Sequence, residues 1–119
     1  MTFLWTTIHV TDMERSLAFY QEIVGLPLQR RARSGEKDLA FLGEGGTAVE
    51  LVSGREYASV SFGSDIALGF RSDDLDATMA FLKEKGISIA AGPFQPNSGI
   101  RFLYVYDPDG VKIQFAQLM

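Results

Sequence analysis

The side chains of this sequence that are best suited to chemistry are one imidazole and a small number of carboxylates. His9 is the only histidine, and the chain has no cysteine. These counts exclude a multi-histidine metal site within one chain, a thiolate zinc site and any disulfide. The remaining donors are oxygen atoms, which suit hydrogen bonds, protons or hard cations.

Glu50 is the carboxylate in the most informative setting, because the run Thr47–Val52 alternates in polarity. Alternation places Glu50 on the same strand face as Ala48, while the residues between them face the predicted helices. A carboxylate on a partly apolar surface needs a partner, a metal or a proton. Two interpretations are open: Glu50 faces a ligand, or it only accepts a hydrogen bond within the protein, from Gln114 or Trp5.

His9 is predicted to share a strand face with Trp5, because residues 5, 7 and 9 point to one side of a strand. At ~3.3 Å per residue it stands about 13 Å along the strand from Trp5. Here too there are two interpretations. His9 contacts a ligand or carries a proton, or it is a partly buried side chain hydrogen-bonded to a neighbour.

The elements that must position these side chains follow one order that occurs twice. Each half is predicted to run strand, helix, strand, strand, strand, and residues 53–64, rich in Ser and Gly, form a connector. The halves also resemble each other, since Ser-Leu-Ala-Phe-Tyr at 16–20 parallels Thr-Met-Ala-Phe-Leu at 78–82. The predicted strands span residues 5–10, 28–33, 38–42, 47–52, 65–71, 87–91, 100–106 and 111–117.

Local signals mark the helix starts and the last turn. Thr11 and Glu14 have the spacing of a capping box, and Asp73 or Asp74 can cap the second helix. A glycine follows each helix, where the left-handed conformation is often needed. Asp-Pro-Asp-Gly at 107–110 predicts a type I turn that joins the last two strands.

Composition and charge narrow the classes of function. The 119 residues are 46% hydrophobic and 22% charged, which fits one globular domain with its own core. The net charge of −4 and the pI near 4.9 disfavour nucleic acid as a partner. No apolar run has the length of a membrane span and no signal peptide opens the chain, so we predict a cytoplasmic location without membrane contact.

Several short segments, none specific alone, have an order and spacing that resemble a known superfamily. They are Ile-His-Val-Thr-Asp at 8–12, Ser-Leu-Ala-Phe-Tyr at 16–20, Gly-Leu at 25–26, Ala-Val-Glu-Leu at 48–51, Ile-Ala-Leu at 66–68, Asp-Pro-Asp-Gly at 107–110 and Lys-Ile-Gln at 112–114. Together they resemble the vicinal oxygen chelate superfamily, which contains glyoxalase I, fosfomycin-resistance enzymes, extradiol dioxygenases and bleomycin-resistance proteins. The resemblance implies an α+β fold in a single domain of residues 1–119. Two βαβββ modules, about 1–52 and 65–119, would curl around a cleft with the helices outside.

The resemblance also implies a metal site, which members of the superfamily build from up to four positions. Here those positions hold Trp5, Glu50, Asp65 and Gln114, and only Glu50 is a usual donor at its position. An indole N–H cannot ligate a metal, so we expect no metal cofactor, although the three oxygen donors would still suit a divalent ion with waters. Without a metal, Glu50 is the candidate catalytic residue, as a general base.

The same resemblance assigns a set of ligand-binding residues to the cleft. Asp65 is alternatively a polar residue that opens a strand, and Tyr104 is alternatively a core aromatic with a satisfied hydroxyl. The cleft set is Trp5, His9, Asp65, Phe102, Tyr104 and Gln114, with Glu50.

Two further features have a functional and a structural interpretation. Arg30, Arg31 and Arg33 suit an exposed edge strand that resists pairing with other sheets, or alternatively an anion site. Residues 90–99, with Pro93 and Pro96, are predicted as a connector or a lid at the mouth of the cleft.

The leading hypothesis is therefore a glyoxalase/bleomycin-resistance-like protein that binds a small organic molecule, cationic or planar, without the usual metal quartet. The alternative is a metal-dependent lyase, isomerase or dioxygenase-like enzyme with an altered ligand set. A non-catalytic interaction or regulatory domain is the third. The habit of the superfamily also implies a homodimer.

Overall fold

The predicted order of elements is present twice in the computed structural model, which describes residues 1–119. The chain forms two compact units, Met1–Ser61 and Phe62–Met119, called here the N-terminal and C-terminal units. Their boundary falls inside the segment predicted as a connector. Each unit contains one four-stranded mixed sheet and one short helix, which confirms the predicted α+β class with two βαβββ modules. Neither helix has the length and apolar character to cross a bilayer.

The N-terminal unit has the strand order β1-β4-β3-β2, in which β1 is parallel to β4 and the other pairs are antiparallel. A π-helical turn, Phe19–Ile23, continues its helix, and a 3₁₀ turn, Arg55–Tyr57, follows its last strand. Its elements are β1 Trp5–His9, α1 Met13–Ala18, β2 Leu28–Ser34, β3 Lys37–Gly45 and β4 Thr47–Ser53.

The C-terminal unit repeats this topology with the order β5-β8-β7-β6, and β5 is parallel to β8. Its elements are β5 Ala67–Arg71, α2 Leu75–Glu84, β6 Ala91–Asn97, β7 Ile100–Tyr106 and β8 Lys112–Leu118.

Each sheet has a buried face covered by its helix and an opposite face that carries the candidate site residues. In the N-terminal unit, Ile8, Leu42 and Leu51 are almost completely buried, and alternation places them on one face. The side chain of Arg31 reaches Glu14 in α1, so its neighbour Arg30 points to the other side. We call this other side the helix-free face.

The start of α1 differs from the prediction, and the start of α2 decides between the two caps predicted for it. The N-cap of α1 is Asp12, whose carboxylate accepts from the Arg15 N–H at 3.1 Å, so the capping box predicted at Thr11 was wrong. Asp and Thr are both good caps, and here the Thr11 hydroxyl accepts from the Arg15 guanidinium instead. In α2 the cap is Asp74.

The segment predicted as a connector or lid is an edge strand, so that prediction was wrong, as was the strand predicted at 87–91. β6 spans Ala91–Asn97 and pairs with β7 through two register shifts. Proline removes a ladder donor and is tolerated at edges and bulges. Pro93 and Pro96 lie between the paired residues Ala91, Phe94 and Asn97, which is why two prolines are compatible with a strand here.

The start of β5 also differs from the prediction, whereas the last turn is as expected. β5 begins at Ala67 rather than at residue 65, and Asp65 lies exposed in the preceding turn. In the last turn the Gly110 N–H donates to the Asp107 carbonyl at 3.1 Å. The Asp107 carboxylate accepts from the N–H groups of Asp109 and Val111, each at 2.9 Å.

Candidate functional site

One row of side chains crosses the helix-free face of the N-terminal sheet, one from each strand. Strand pairing places Arg30 opposite Phe41, Phe41 opposite Glu50, and Glu50 opposite Thr7. Neighbouring strands are about 4.8 Å apart, so side chains in such a row are in reach of each other. We call these four residues the Glu50 row.

Glu50 is the buried charge of this row, with 8% of its surface exposed. The Thr7 hydroxyl donates to its Oε1 at 2.5 Å. The sequence suggested Gln114 or Trp5 as the partner, and the structure gives Thr7 because parallel pairing sets it directly beside Glu50. One hydroxyl uses only part of the acceptor capacity of a carboxylate, so Glu50 retains lone pairs for a ligand.

Two aromatic rings and one cation lie on the same face of the sheet as the carboxylate. Trp5 is 45% exposed and meets Phe41 edge to face, with ring centroids 5.3 Å apart. The Arg30 guanidinium lies 4.8 Å from the centre of the Phe41 ring. The face therefore combines stacking surface, a hydrogen-bond acceptor and a positive charge.

His9 lies at the far end of β1 and is stacked on Tyr57, with ring centroids 3.9 Å apart and an interplanar angle of 13°. Tyr57 comes from the 3₁₀ turn, beside the Lys37–Glu56 ion pair at 2.8 Å. Hydrogen bonds to Glu56 and Tyr57 raise the pKa of Lys37. The hydrogen bond from Lys37 lowers the pKa of Glu56, with a smaller effect from His9. His9 is thus held by stacking on Tyr57.

The C-terminal unit carries a neutral counterpart of the row. Gln114 is opposite Tyr104 on one side and Gly69 on the other, and its amide donates to the Tyr104 hydroxyl at 3.3 Å. The Lys112 ammonium lies 4.9 Å from the centre of the Tyr104 ring. Phe102 meets Tyr104 edge to face at 5.7 Å. Tyr104, Phe102 and Gln114 therefore do lie together, as the sequence suggested.

Register also locates the counterpart of Trp5 in the second repeat. Glu50 pairs with Thr7, and the equivalent Gln114 pairs with Gly69. The residues two positions before Thr7 and Gly69 are Trp5 and Ala67. Ala67, not Asp65, is therefore the structural equivalent of Trp5. Asp65 lies two residues before that position and outside the strand.

The donors at the four superfamily positions do not fit a transition-metal centre. Trp5 offers no acceptor atom, and the strand position equivalent to it holds Ala67. Gln114 supplies at most a weakly binding amide oxygen, which leaves Glu50 as the one strand-held carboxylate. No group of three or more His, Asp or Glu side chains is gathered to hold a metal ion.

Phe41, Thr7 and Tyr57 are site residues that the sequence did not reveal. Phe41 belongs to a predicted strand, and its place beside Glu50 depends on the bulged register across the glycine-rich turn before β4. Tyr57 belongs to the segment predicted as a plain connector. The strand predicted at 38–42 was the one available signal, and the apolar run 39–42 indicates neither a face nor a register.

Comparison with known proteins gives consistent matches over the whole chain. The family model described as glyoxalase/bleomycin resistance protein/dioxygenase superfamily matches residues 2–115. Lactoylglutathione lyase of Haemophilus influenzae is 32% identical over 98% of this chain and 93% of its own length. A probable lactoylglutathione lyase of Synechocystis is 34% identical over 98% of this chain and 95% of its own length.

Two solved structures share the fold at similar identity. The antibiotic binding protein TnmS3 from Streptomyces sp. CB03234 is 26% identical, with a TM-score of 0.80, over 100% of this chain and 97% of that one. The trypanothione-dependent glyoxalase I of Leishmania major is 26% identical, with a TM-score of 0.83, over 98% and 86%. Structures of one fold thus include both an antibiotic binder and an enzyme.

Proposed function

Because the chain belongs to the glyoxalase/bleomycin resistance protein/dioxygenase superfamily, we propose that it binds a small organic molecule at its helix-free faces, without the metal of the metal-using members. The observation that carries the proposal is the Glu50 row with Trp5 beside it. A buried carboxylate whose partner is a neutral hydroxyl adjoins two aromatic rings. Spare lone pairs accept from a ligand donor, and the half-exposed Trp5 ring supplies area for a flat apolar body.

The C-terminal face supports the same proposal with neutral groups. Phe102 and Tyr104 offer aromatic surface, and the carbonyl oxygen of Gln114 makes no hydrogen bond while its amide nitrogen donates to Tyr104. His9 contributes the rim of the N-terminal face, where it stacks on Tyr57. Asp65, exposed in its turn, stays a predicted ligand contact without added support.

Binding is tested by the fluorescence of Trp5, which is the only tryptophan of the chain and lies in the proposed site. We expect members of a library of flat organic molecules to change its emission saturably. Glu50→Gln should weaken that binding by at least about tenfold, because a charge-assisted hydrogen bond contributes about 1.5–3 kcal/mol. Glu84→Gln, an exposed glutamate at the end of α2, is the control and should leave binding unchanged. No response to any compound would contradict the proposal.

Metal content is tested on protein purified without chelator. We expect elemental analysis to find Zn, Ni, Fe and Mn far below one atom per chain, because the donors at the four positions do not form a transition-metal site. Near-stoichiometric metal in repeated preparations would reject the metal-free proposal.

A metal-dependent lyase is the second candidate function, favoured by the names of relatives that are 32–34% identical. In that case Glu50 would be the general base, since it is the one buried carboxylate of the helix-free face. The test is lactoylglutathione lyase activity after incubation with Ni²⁺, Zn²⁺ or Mn²⁺, followed through the thioester absorbance. Metal-dependent turnover that Glu50→Gln abolishes would establish this function in place of the first.

We also propose a homodimer. Several large apolar side chains are exposed to solvent: Phe3 is 67% exposed, Leu4 57% and Ile66 72%. Exposed apolar groups of this kind often mark an interface.

A further inference from the structure

The Glu50 row contains two charges that have no ionic partner. Arg30 is exposed, and its guanidinium contacts only the Phe41 ring, at 4.8 Å. Glu50 accepts only from Thr7. Neither residue takes part in any ion pair of the protein, including one with the other. The row thus presents one free positive and one free negative group.

The neighbouring arginine shows that this arrangement is not a general property of β2. Arg31 contacts Glu14 at 2.6 Å and Asp38 at 2.7 Å on the helix side of the sheet. Those carboxylates raise the pKa of Arg31 well above its ordinary value. The two adjacent guanidinium groups therefore differ completely, one neutralised by two acids and the other held over an aromatic ring with its donors open.

The register of the row sets the spacing of the two charged residues along the sheet. Phe41 pairs with Arg30 on β2 and with Glu50 on β4, so the backbones of the charged residues are two strand spacings apart, about 10 Å. Trp5, on β1 at the other side of β4, reaches the Phe41 ring edge-on. A guanidinium binds carboxylate or phosphate oxygens through a planar fork of donors, and a carboxylate binds ammonium or amide donors.

We propose that the ligand of this face is a flat zwitterion, with an anionic group bound by Arg30, a cationic or N–H donor group bound by Glu50, and an apolar body against the half-exposed ring of Trp5. This inference rests on the proposed binding function and names the chemical class of its ligand. It narrows the cationic or planar ligand expected from the sequence, because the local charges of the row cancel although the chain carries −4.

The test uses four probes that share one benzene ring. 4-(Aminomethyl)benzoate carries both charges at opposite ends of the ring, 4-methylbenzoate only the anion, 4-methylbenzylamine only the cation, and 4-methylbenzamide neither. Affinities are measured by Trp5 fluorescence and by chemical shifts of the Trp5 indole N–H and the Arg30 Nε–H. We expect the zwitterion to bind about tenfold more tightly than either singly charged probe.

Two variants assign the two ends of the ligand. Arg30→Gln should lower the affinity for 4-(aminomethyl)benzoate to that for 4-methylbenzylamine, and Glu50→Gln should lower it to that for 4-methylbenzoate. Arg33→Gln, which removes the same charge from the same strand, is the matched control and should change neither. Unfolding curves verify that each variant is folded.

The outcomes separate this inference from the proposed function. If all four probes bind with similar affinity, the zwitterion is rejected while binding at this face stands. If the zwitterion binds best but Arg33→Gln weakens it as much as Arg30→Gln, the Arg30 contact is rejected in favour of general charge attraction. If neither these probes nor the library perturb Trp5, the proposed function itself fails.

Discussion

At the residue scale, the central feature is a buried carboxylate that depends on one hydroxyl. Thr7 is the hydrogen-bond donor to Glu50. Thr7→Val should destabilise the protein by about 1–3 kcal/mol, the usual cost of leaving a buried polar group without its partner. Urea unfolding measures this loss.

Two comparisons distinguish the hydrogen bond from packing. Thr7→Ser keeps the hydroxyl and should cost much less than Thr7→Val. In a Glu50→Leu background, where no carboxylate needs a partner, the cost of Thr7→Val should largely disappear. Equal losses for the serine and valine variants would show that the methyl group, not the hydroxyl, matters.

The sequence predicted the face of Glu50 but not its partner. Alternation in residues 47–52 is a local property. It correctly predicted that Glu50 and the buried Leu51 lie on different faces of the sheet. Thr7 is 43 positions away along the chain, and no local pattern encodes the register between two parallel strands. The same reason explains why the resemblance indicates Asp65 although Ala67 occupies the equivalent strand position.

At the scale of elements, Arg31 connects α1 with the β2–β3 hairpin. Its guanidinium contacts Glu14 in α1 and Asp38 in β3. The hydrogen bond from Arg31 lowers the pKa of Asp38 below its ordinary value of 3.8. A lowered carboxyl pKa stabilises the folded state above pH 3.8, and this stabilisation is lost as the pH falls through the folded pKa.

Arg31→Gln should therefore destabilise the protein by about 0.5–1 kcal/mol at pH 7, since the arginine is partly exposed. The difference from wild type should shrink as the pH falls below 3.8. Urea unfolding at a series of pH values measures it. Arg30→Gln is the control from the same strand, because Arg30 lies on the opposite face over the Phe41 ring and takes part in no ion pair. An equal, pH-independent loss in both variants would contradict the role of the Asp38 pair.

β6 depends on a glycine at its first bend. Gly92 has φ +95°, and a Cβ there would lie 3.0 Å from the Phe102 carbonyl oxygen and 3.2 Å from the Leu103 Cα. Both contacts are backbone atoms of the paired strand and cannot turn aside. Gly92→Ala should destabilise the protein by more than about 1 kcal/mol in thermal or urea unfolding.

Gly63→Ala provides the matched glycine control for β6. Gly63 has no positive φ, and a Cβ would meet nothing within 4 Å, so the change should be neutral or slightly stabilising. If both alanine variants behaved alike, close packing of β6 against β7 would not be the reason for Gly92. The sequence missed this strand because prolines normally oppose strands, and the two bulges that admit them are visible only in the pairing.

At the scale of the whole molecule, the internal repeat was the most predictable property. The side chains at equivalent positions of the two repeats were the least predictable. The order of elements, the two helix positions and the Asp107–Gly110 turn followed from periodicity and turn residues. The repeats nevertheless differ at the positions of the Glu50 row. Arg30 and Glu50 of one unit are replaced by Ala91 and Gln114 in the other, so the two faces offer a charged and a neutral surface.

The apolar surface of the whole chain leads to the last prediction, that the protein is a homodimer in solution. Leu4 and Leu118, one in each unit, are each 57% exposed. Association would remove such side chains from water, which contributes about 25 cal/mol per Å² of buried apolar area.

Sedimentation velocity over a wide concentration range should give twice the mass of the chain, with little dependence on salt because the driving force is apolar. Leu4→Lys and Leu118→Lys add the same charge to different units, so the variant that yields monomer identifies the unit at the interface. A monomer at every concentration of the wild-type protein would refute the dimer.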